Sequence, residues 1–229
     1  MFISQILMIF ERFGKMLLNG VYLTLLIALL SIIIGFVLGF TLSVLKIYGP
    51  KPLKWLSIIY IDIVRGTPMI VQLFIIYYGL PSTGLIRFTP MQAAVIGMGL
   101  NSAAYQAEYF RTAFLAIPTG QIDAALSLGM SKIGMIFNIL LPQIMRIVIP
   151  SWTNELIALT QYSSLAMVLT VMEVTSVAKY IGSKTFLYSQ AFAIAGIIYL
   201  VLSILFTRLM IYFEGKLSMP GISVAKARI

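Results

Sequence analysis

The amino-acid sequence predicts an all-α polytopic membrane protein with five transmembrane helices. Sixty per cent of the 229 residues are apolar and only 10% are charged, whereas an ordinary soluble domain has roughly 45–50% and about 25%. Long uncharged stretches of 30, 21, 20 and 23 residues lie between Lys15 and Lys46, Arg65 and Arg87, Arg87 and Glu108, and Lys184 and Arg208. Each can cross the hydrocarbon layer, which needs about 20 helical residues.

The first span covers residues 16–46, and we expect a short interfacial helix from Met1 to about Gly14 that leads into it. Gly35 and Gly39 are four residues apart, a spacing that lets two membrane helices approach closely. The span is too long for the apolar region of a signal peptide and no small-residue cleavage site follows it, so we expect it to stay in the mature protein.

The second span, residues 53–80, is interrupted by the stretch "IDIVRGTPMIVQ". Thr67 followed by Pro68 suits the N-cap and first turn of a helix, because proline needs no backbone hydrogen-bond donor there. The sequence therefore predicts a kinked or restarted helix. Such breaks are tolerated where they line a cavity or are buried in protein, and we expect this one to aim Gln72 at a path through the membrane.

The third span, residues 89–112, is rich in Ala, Gly and Ser and is therefore expected to lie centrally among the helices. A long segment at residues 113–145 follows it. Thr119 is a good N-cap, residues 121–128 can form two helical turns, and Gly129 suits the residue that ends them. A second short helix is expected at residues 133–141, before Pro142 turns the chain back.

The last two spans are predicted at residues 146–171 and 186–213, so that residues 1–229 form one transmembrane domain. The uncharged stretch between Glu155 and Glu173 is only 17 residues long, which places Glu155 within the membrane or at its edge. The "IGSKT" stretch from Ile181 to Thr185 lacks the order of a phosphate-binding loop and is interpreted as a polar turn.

Charged residues predict the orientation of the chain. With the N-terminus outside and the C-terminus in the cytoplasm, ten Lys and Arg residues fall on the cytoplasmic side and five outside, leaving Arg65 aside. This is the bias that cytoplasmic loops show. The net charge of +9 is then explained by membrane orientation and anionic lipids rather than by nucleic-acid binding.

The chain has no His and no Cys. Histidine or thiolate metal sites, thiolate nucleophiles and histidine proton relays are therefore excluded. We predict no catalytic residues, no metal site and no cofactor.

One segment before the fourth span carries a specific resemblance. Asp123, Ala124, Ala125, Gly129 and Pro142 stand at the spacing of the "EAA" signature found in permease subunits of ATP-binding-cassette importers, with Asp replacing the usual Glu. Three further stretches, "RGTPMIVQLFIIYYGLP", "LNSAAYQAEYFRTA" and "LPQIMRIVIPSWTNELIAL", resemble the polar amino acid branch of that family, and the likeness covers nearly the whole chain.

The resemblance implies a type I importer permease in a prokaryotic cell membrane. Its expected partners are a second permease subunit, identical or different, two cytoplasmic ATPases that bind ATP and Mg²⁺, and an extracytoplasmic solute-binding protein that delivers an amino acid. The five signature residues are expected to couple to the ATPases, so this chain is a transport subunit and not an enzyme.

Ionisable residues inside spans are costly and usually functional or paired. Asp62 with Arg65, and Glu108 with Arg111, have a three-residue spacing that favours structural ion pairs. Glu155 has no cation three or four residues away, and we expect it to find a partner on another helix.

An amino acid in transit needs hydrogen-bond donors for its carboxylate and acceptors for its ammonium group. The expected path residues are Gln72, Asn101, Ser102, Tyr105, Gln161, Tyr162, Ser163 and Ser164. The family commonly has a basic and an acidic residue where this chain has Gln161 and Tyr162, which argues against a path selective for arginine or lysine. A purely packing role for these residues is the alternative.

Three other interpretations compete with amino acid import. A permease of this architecture could carry another small polar solute. A channel or a structural membrane protein could have the same composition, but such a protein has no need of the "EAA" segment, which binds an ATPase in this family. A membrane enzyme is disfavoured because there is no His for a Ser–His pair or an HExxH motif.

Overall fold

The computed structural model describes residues 2–84 and 86–217, and within these residues all regular structure is helical. The α-helices, in chain order, are α1 (Phe2–Tyr48), α2 (Lys51–Gly66), α3 (Met69–Phe74), α4 (Leu80–Ser82), α5 (Pro90–Leu115), α6 (Thr119–Ser127), α7 (Lys132–Met135), α8 (Leu141–Tyr162), α9 (Val174–Thr185) and α10 (Tyr188–Leu217). The expected cytoplasmic cations Lys226 and Arg228 lie outside the described residues.

Helix α1 is continuous over 47 residues, about 70 Å at 1.5 Å per residue. Residues 2–14 are helical, as predicted, and they continue into the first span without a break at Gly14. A lone glycine costs a helix only about 1 kcal/mol, and no proline or capping residue reinforces a break at this point.

Helix α5 is the centre of the bundle, as predicted, and 15 of its 26 residues are buried. Thr89 and Gln92 form a capping box at its start. Gly35 and Gly39 of α1 pack directly on α5: an added Cβ at Gly35 would overlap the Gln106 amide nitrogen, and one at Gly39 would lie 2.8 Å from Gln106 Cβ. The helix contact predicted from the glycine spacing is confirmed.

The predicted break in the second span is present, and it is sharp. The chain changes direction by 107° between helix α2 and the segment Met69–Ser82. Thr67 is extended, at φ −118° and ψ 145°, because a residue before proline is pushed out of the helical region. The N-cap predicted at Thr67 is therefore wrong by one residue: Pro68 occupies that position, without a side-chain cap.

Helix α6 forms in the predicted place and ends at Gly129, which has φ +75°. Its C-terminus is a Schellman motif, in which Gly129 N donates to Leu126 O at 3.0 Å and Met130 N donates to Ala125 O at 3.1 Å. The N-cap position is Pro118, with no side-chain bond, so the prediction of Thr119 as the cap is wrong by one residue.

Pro142 does not turn the chain back, contrary to the prediction. One helical stretch runs from Lys132 to Leu169, with a π-helical turn at Ile136–Leu140 directly before α8. Proline lacks an N–H and clashes with the carbonyl four residues earlier. That residue, Asn138, lies in the wider π turn, and the helix passes Pro142 without reversing.

The end of the fourth predicted span is not an α-helix. A 3₁₀ helix covers Ser163–Leu169 and ends at Thr170, which has a left-handed φ of 69°. Helix α9 follows, and the "IGSKT" stretch is its last turn rather than the predicted polar turn.

Three stretches, Ser4–Tyr48, Lys132–Leu169 and Tyr188–Phe213, are long and apolar enough to cross a membrane unaided, and the bent pair of α2 with Met69–Ser82 qualifies as a fourth. Helix α5 is not among them, because it carries many small and polar residues. Its neighbours cover it, so it does not depend on apolar side chains for contact with lipid.

Candidate functional site

A row of polar side chains on α5 faces the break in the second span. Asn101, Tyr105 and Tyr109 are spaced by four residues and therefore lie on one face of the helix. Asn101 Nδ2 donates to Gln72 Oε1 at 3.0 Å, and the Arg65 guanidinium lies 5.3 Å from the centre of the Tyr105 ring. Tyr109 OH donates to Glu155 Oε2 at 3.0 Å. The row thus connects α3, α2 and α8.

Gln72 holds the broken helix together. Its amide nitrogen donates to Val64 O at 2.8 Å, Thr67 O at 3.1 Å and Thr67 Oγ1 at 2.9 Å, and its amide oxygen accepts from Asn101. The last carbonyls of a helix have no partner within it, and Gln72 supplies one for α2. Both ends of the Gln72 side chain are engaged in fixing the bend.

The two charged pairs differ. Glu108 accepts from Arg111 at 2.7 Å, as predicted, and also from Lys46 of α1 at 2.6 Å. No ion pair joins Asp62 to Arg65 in the described part of the chain. Arg65 stands in the last turn of α2, where it is exposed and reaches across to Tyr105 instead of back along its own helix.

Glu155 is buried, with 6% of its surface exposed, and its predicted partner on another helix is confirmed. Ser102 Oγ donates to Glu155 Oε1 at 2.5 Å, in addition to the bond from Tyr109. Gln106 extends the network, because its amide nitrogen donates to Ser102 Oγ at 3.0 Å and to Ile32 O of α1 at 3.1 Å. Sequence reasoning missed Gln106, although its position four residues after Ser102 was a usable signal.

The four polar residues at the end of α8 divide into two groups. Ser163 Oγ donates to Thr160 O and Ser164 Oγ to Gln161 O, both at 2.7 Å, so these hydroxyls bond to their own backbone. Gln161 and Tyr162 point outwards; Tyr162 is 47% exposed and Gln161 is exposed as well.

Glu173 is a buried carboxylate that the sequence analysis used only as the end of a span. It is fully buried and caps α9, accepting from Thr175 N and Ser176 N at 2.7 Å each. Tyr199 OH of α10 donates to it at 2.8 Å. A carboxylate is favoured near a helix N-terminus, but Glu is not one of the usual N-cap residues, so little in the sequence indicated this cap.

The signature residues of helix α6 differ in how far they are exposed. Asp123, Ala124 and Gly129 are exposed, whereas Ala125 is only 1% exposed and packs in the chain's own core beside Phe114 and Met135. Leu128, which sequence reasoning did not single out, is 83% exposed. Leu126 and Ile133 are exposed as well, at 46% and 71%, and exposed apolar side chains that form a patch are typical of a contact surface.

Pro142 lies apart from these residues, at the start of α8, where it lines a groove between α8 and α10. Among the described residues, no three side chains suited to metal binding come together.

A family model described as "Binding-protein-dependent transport system inner membrane component" matches residues 31–219. The arginine transport system permease protein ArtQ of Bacillus subtilis (strain 168) is 39% identical over 200 residues, which cover 87% of this chain and 89% of that protein. The octopine transport system permease protein OccM of Rhizobium radiobacter is 36% identical, over 88% of this chain and 85% of that protein.

A solved amino acid ABC transporter with histidines superposes at a TM-score of 0.83 with 31% identity, covering 94% of this chain and 98% of that one. The inward-facing MetNI methionine ABC transporter superposes at 0.80 with 23% identity, over 91% of this chain and 99% of that one. At that identity the second likeness shows a shared fold.

Proposed function

The chain belongs to the family of binding-protein-dependent transport system inner membrane components, and we propose that it is the transmembrane permease subunit of an ATP-driven importer for polar amino acids. The observation that carries this proposal is the likeness to amino acid permeases over nearly the full chain, in sequence and in fold. The names of these relatives favour amino acids over other small polar solutes, and favour a transporter over a channel or a structural protein.

We propose five spans in one transmembrane domain: α1, the bent pair of α2 with Met69–Ser82, α5, the stretch Lys132–Leu169, and α10. Three of these are apolar enough to cross unaided. The bend in the second span is supported by Gln72, and α5 is shielded from lipid by its neighbours. With an odd number of spans, the distribution of Lys and Arg favours an N-terminus outside the cell membrane and a C-terminus in the cytoplasm.

In the assembled importer, two permease subunits pair and each binds a cytoplasmic ATPase through α6. The exposed side chains of Asp123, Ala124 and Leu128 are the proposed ATPase contacts, with the backbone turn at Gly129. Ala125 instead anchors α6 to the permease core, where it is 1% exposed. ATP and Mg²⁺ are bound by the ATPases, and a solute-binding protein delivers the amino acid from outside.

The proposed path follows the polar row on α5 and the end of α8. Asn101, Ser102 and Tyr105 form one wall with Gln72, whose role is to keep the bend rigid. The other wall is formed by Gln161, Tyr162, Ser163 and Ser164. Of these, Gln161 and Tyr162 have side chains that point outwards and are free to contact a substrate. Arg65 is an exposed cation beside Tyr105 and suits a passing carboxylate.

The test is reconstitution of the complete importer in lipid vesicles. We expect the permease, with its ATPase and its solute-binding protein, to take up a labelled amino acid only when ATP is present, and to hydrolyse ATP faster when the loaded binding protein is added. Vesicles without the binding protein are the matched control. Lack of uptake for all twenty amino acids, or solute flow without ATP, contradicts the proposal.

A further inference from the structure

A groove with a volume of about 490 Å³, lined by both polar and apolar residues, lies where the end of α8, the start of α9 and the middle of α10 meet. Its lining residues are Gln161, Ser164, Thr175, Gly196, Tyr199, Leu200 and Ser203. Gly196 helps to open it, since a Cβ added there would meet no atom within 4 Å. The volume falls in the range of small-molecule pockets, roughly 300–1,000 Å³.

The groove lies halfway along an apolar helix. Gly196, Tyr199 and Ser203 stand near the centre of the stretch Tyr188–Phe213, which is apolar enough to cross the membrane. Polar groups at that depth are unfavourable against lipid and normally face protein or a water-filled cavity. The remaining outer surface of α10 is apolar, with Ile197 at 58% and Ile204 at 51% exposure. The polar groups of the groove are therefore unfavourable against acyl chains and suit a ligand that carries its own hydrogen-bonding groups.

The hydroxyl groups of Tyr199 and Thr175, which line the groove, are held in place by a hydrogen bond between them and by one from Tyr199 to Glu173. Tyr199 OH donates to Glu173 Oε2 at 2.8 Å and lies 3.0 Å from Thr175 Oγ1. Glu173 itself is fully buried, and the N–H groups of Thr175 and Ser176 fix its carboxylate. A hydroxyl that is already ordered binds a ligand without a further loss of side-chain freedom.

Ser203 supplies a second, independent observation. Its Oγ is buried and has no hydrogen-bond partner in the described structure. Buried hydroxyls are nearly always paired, so Ser203 places an unsatisfied polar group in the wall of the groove.

We propose that this groove is the section of the translocation path that takes the side chain of an uncharged polar amino acid. The inference rests on the proposed function and extends it to α9 and α10, which sequence reasoning left out of the path. None of the seven lining residues is charged, and the Glu173 carboxylate behind Tyr199 is fully buried and already bonded, so a charged substrate side chain would enter without an available counter-ion. An amide or hydroxyl side chain finds a donor in the Gln161 amide and acceptors in the oxygens of Gln161, Thr175 and Tyr199.

The first test fills the groove. Gly196→Leu places a side chain in the open space, and Gly14→Leu is the matched control, because a Cβ at Gly14 also meets nothing within 4 Å. In reconstituted importers we expect at least a tenfold loss of amino acid uptake for Gly196→Leu and none for Gly14→Leu, with the permease–ATPase complex of both assembled in size-exclusion chromatography.

The second test changes the charge at the rim without changing size. Gln161→Glu adds a carboxylate, and Asn154→Asp, at another exposed position of α8, is the control. Binding of glutamine and of arginine to the purified permease–ATPase complex is measured by isothermal titration. We expect the ratio of arginine to glutamine affinity to rise about tenfold for Gln161→Glu alone.

The outcomes separate this inference from the function on which it rests. If the wild-type importer takes up no amino acid, the proposed function fails. If it does, and Gly196→Leu transports equally well or Gln161→Glu leaves the affinity ratio unchanged, only the groove assignment fails. Loss of subunit pairing in Gly196→Leu would overturn the inference too, because the groove would then be an interface between subunits.

Discussion

At the residue scale, the buried polar side chains are connected rather than scattered. Glu155 accepts from Ser102 and Tyr109, and Gln106 links Ser102 to the backbone of α1. In a low-dielectric interior, each such bond is stronger than in water, and an unpaired member is costly. The network therefore fixes the relative positions of α1, α5 and α8 and gives the proposed path a rigid wall.

The close contact of α1 with α5 predicts the effect of a single methyl group. Gly35→Ala places a Cβ against the Gln106 amide and 2.7 Å from Ser102 Oγ, so either the helices separate or the network breaks. We expect a loss of about 1–3 kcal/mol in stability, the usual cost of overpacking, seen as a lower thermal midpoint in detergent. Gly14→Ala, where the added Cβ meets nothing within 4 Å, should not lower the midpoint; an equal loss in both variants would contradict the packing argument.

At the element scale, α6 is a short helix whose end depends on one backbone conformation. Gly129 has φ +75°, which L-residues other than glycine rarely adopt. The Schellman bonds from Gly129 and Met130 close the helix, so the exposed Leu128 and the chain that follows keep a defined direction. A rigid end is what a helix needs if it is to transmit movement from one subunit to another.

Two glycines at opposite ends of α6, with different backbone conformations, test this. Neither Gly120 nor Gly129 has an atom within 4 Å of an added Cβ, but only Gly129 has a positive φ. We expect Gly129→Ala to reduce ligand-stimulated ATP hydrolysis at least fivefold, since about 1 kcal/mol of strain loosens the helix end at the ATPase contact. Gly120→Ala should stay within twofold of wild type. Equal rates for the two variants would show that the turn at Gly129 is dispensable for coupling.

At the scale of the whole molecule, the proposed orientation places the start of α2, at Lys51, and all of α6 on the cytoplasmic side of the membrane. The chain has no Cys, so single-cysteine variants report topology without background. Lys51 and Ser183 are exposed and lie on opposite sides in the proposed arrangement. In intact cells a membrane-impermeant maleimide should label Ser183→Cys and leave Lys51→Cys unlabelled until the membrane is opened; the reverse pattern would invert the proposed orientation.

Much of the architecture could be predicted from the sequence, because local properties carry it. The uncharged stretches located the apolar helices, the four-residue spacing of Gly35 and Gly39 located a helix contact, and Pro68 and Gly129 marked a break and a helix end. The errors fell where neighbouring turns decide the outcome: the helix passes Pro142 through a π turn instead of reversing there.

What the sequence alone determined is the class of protein and its relatives, because composition, charge spacing and motif order are properties of the chain by itself. Only the tertiary structure decided which polar groups already have a partner within the protein. Gln72 is held by Val64, Thr67 and Asn101, and Arg65 turns to Tyr105 instead of Asp62. Tyr199 meets Glu173, 26 positions away in the sequence, and the groove on α10 brings together Gln161 and Ser203, which are 42 positions apart. The physical reason is that a side chain's hydrogen bonds depend on its distances to residues on other helices. The spacing of residues along one helix does not determine those distances.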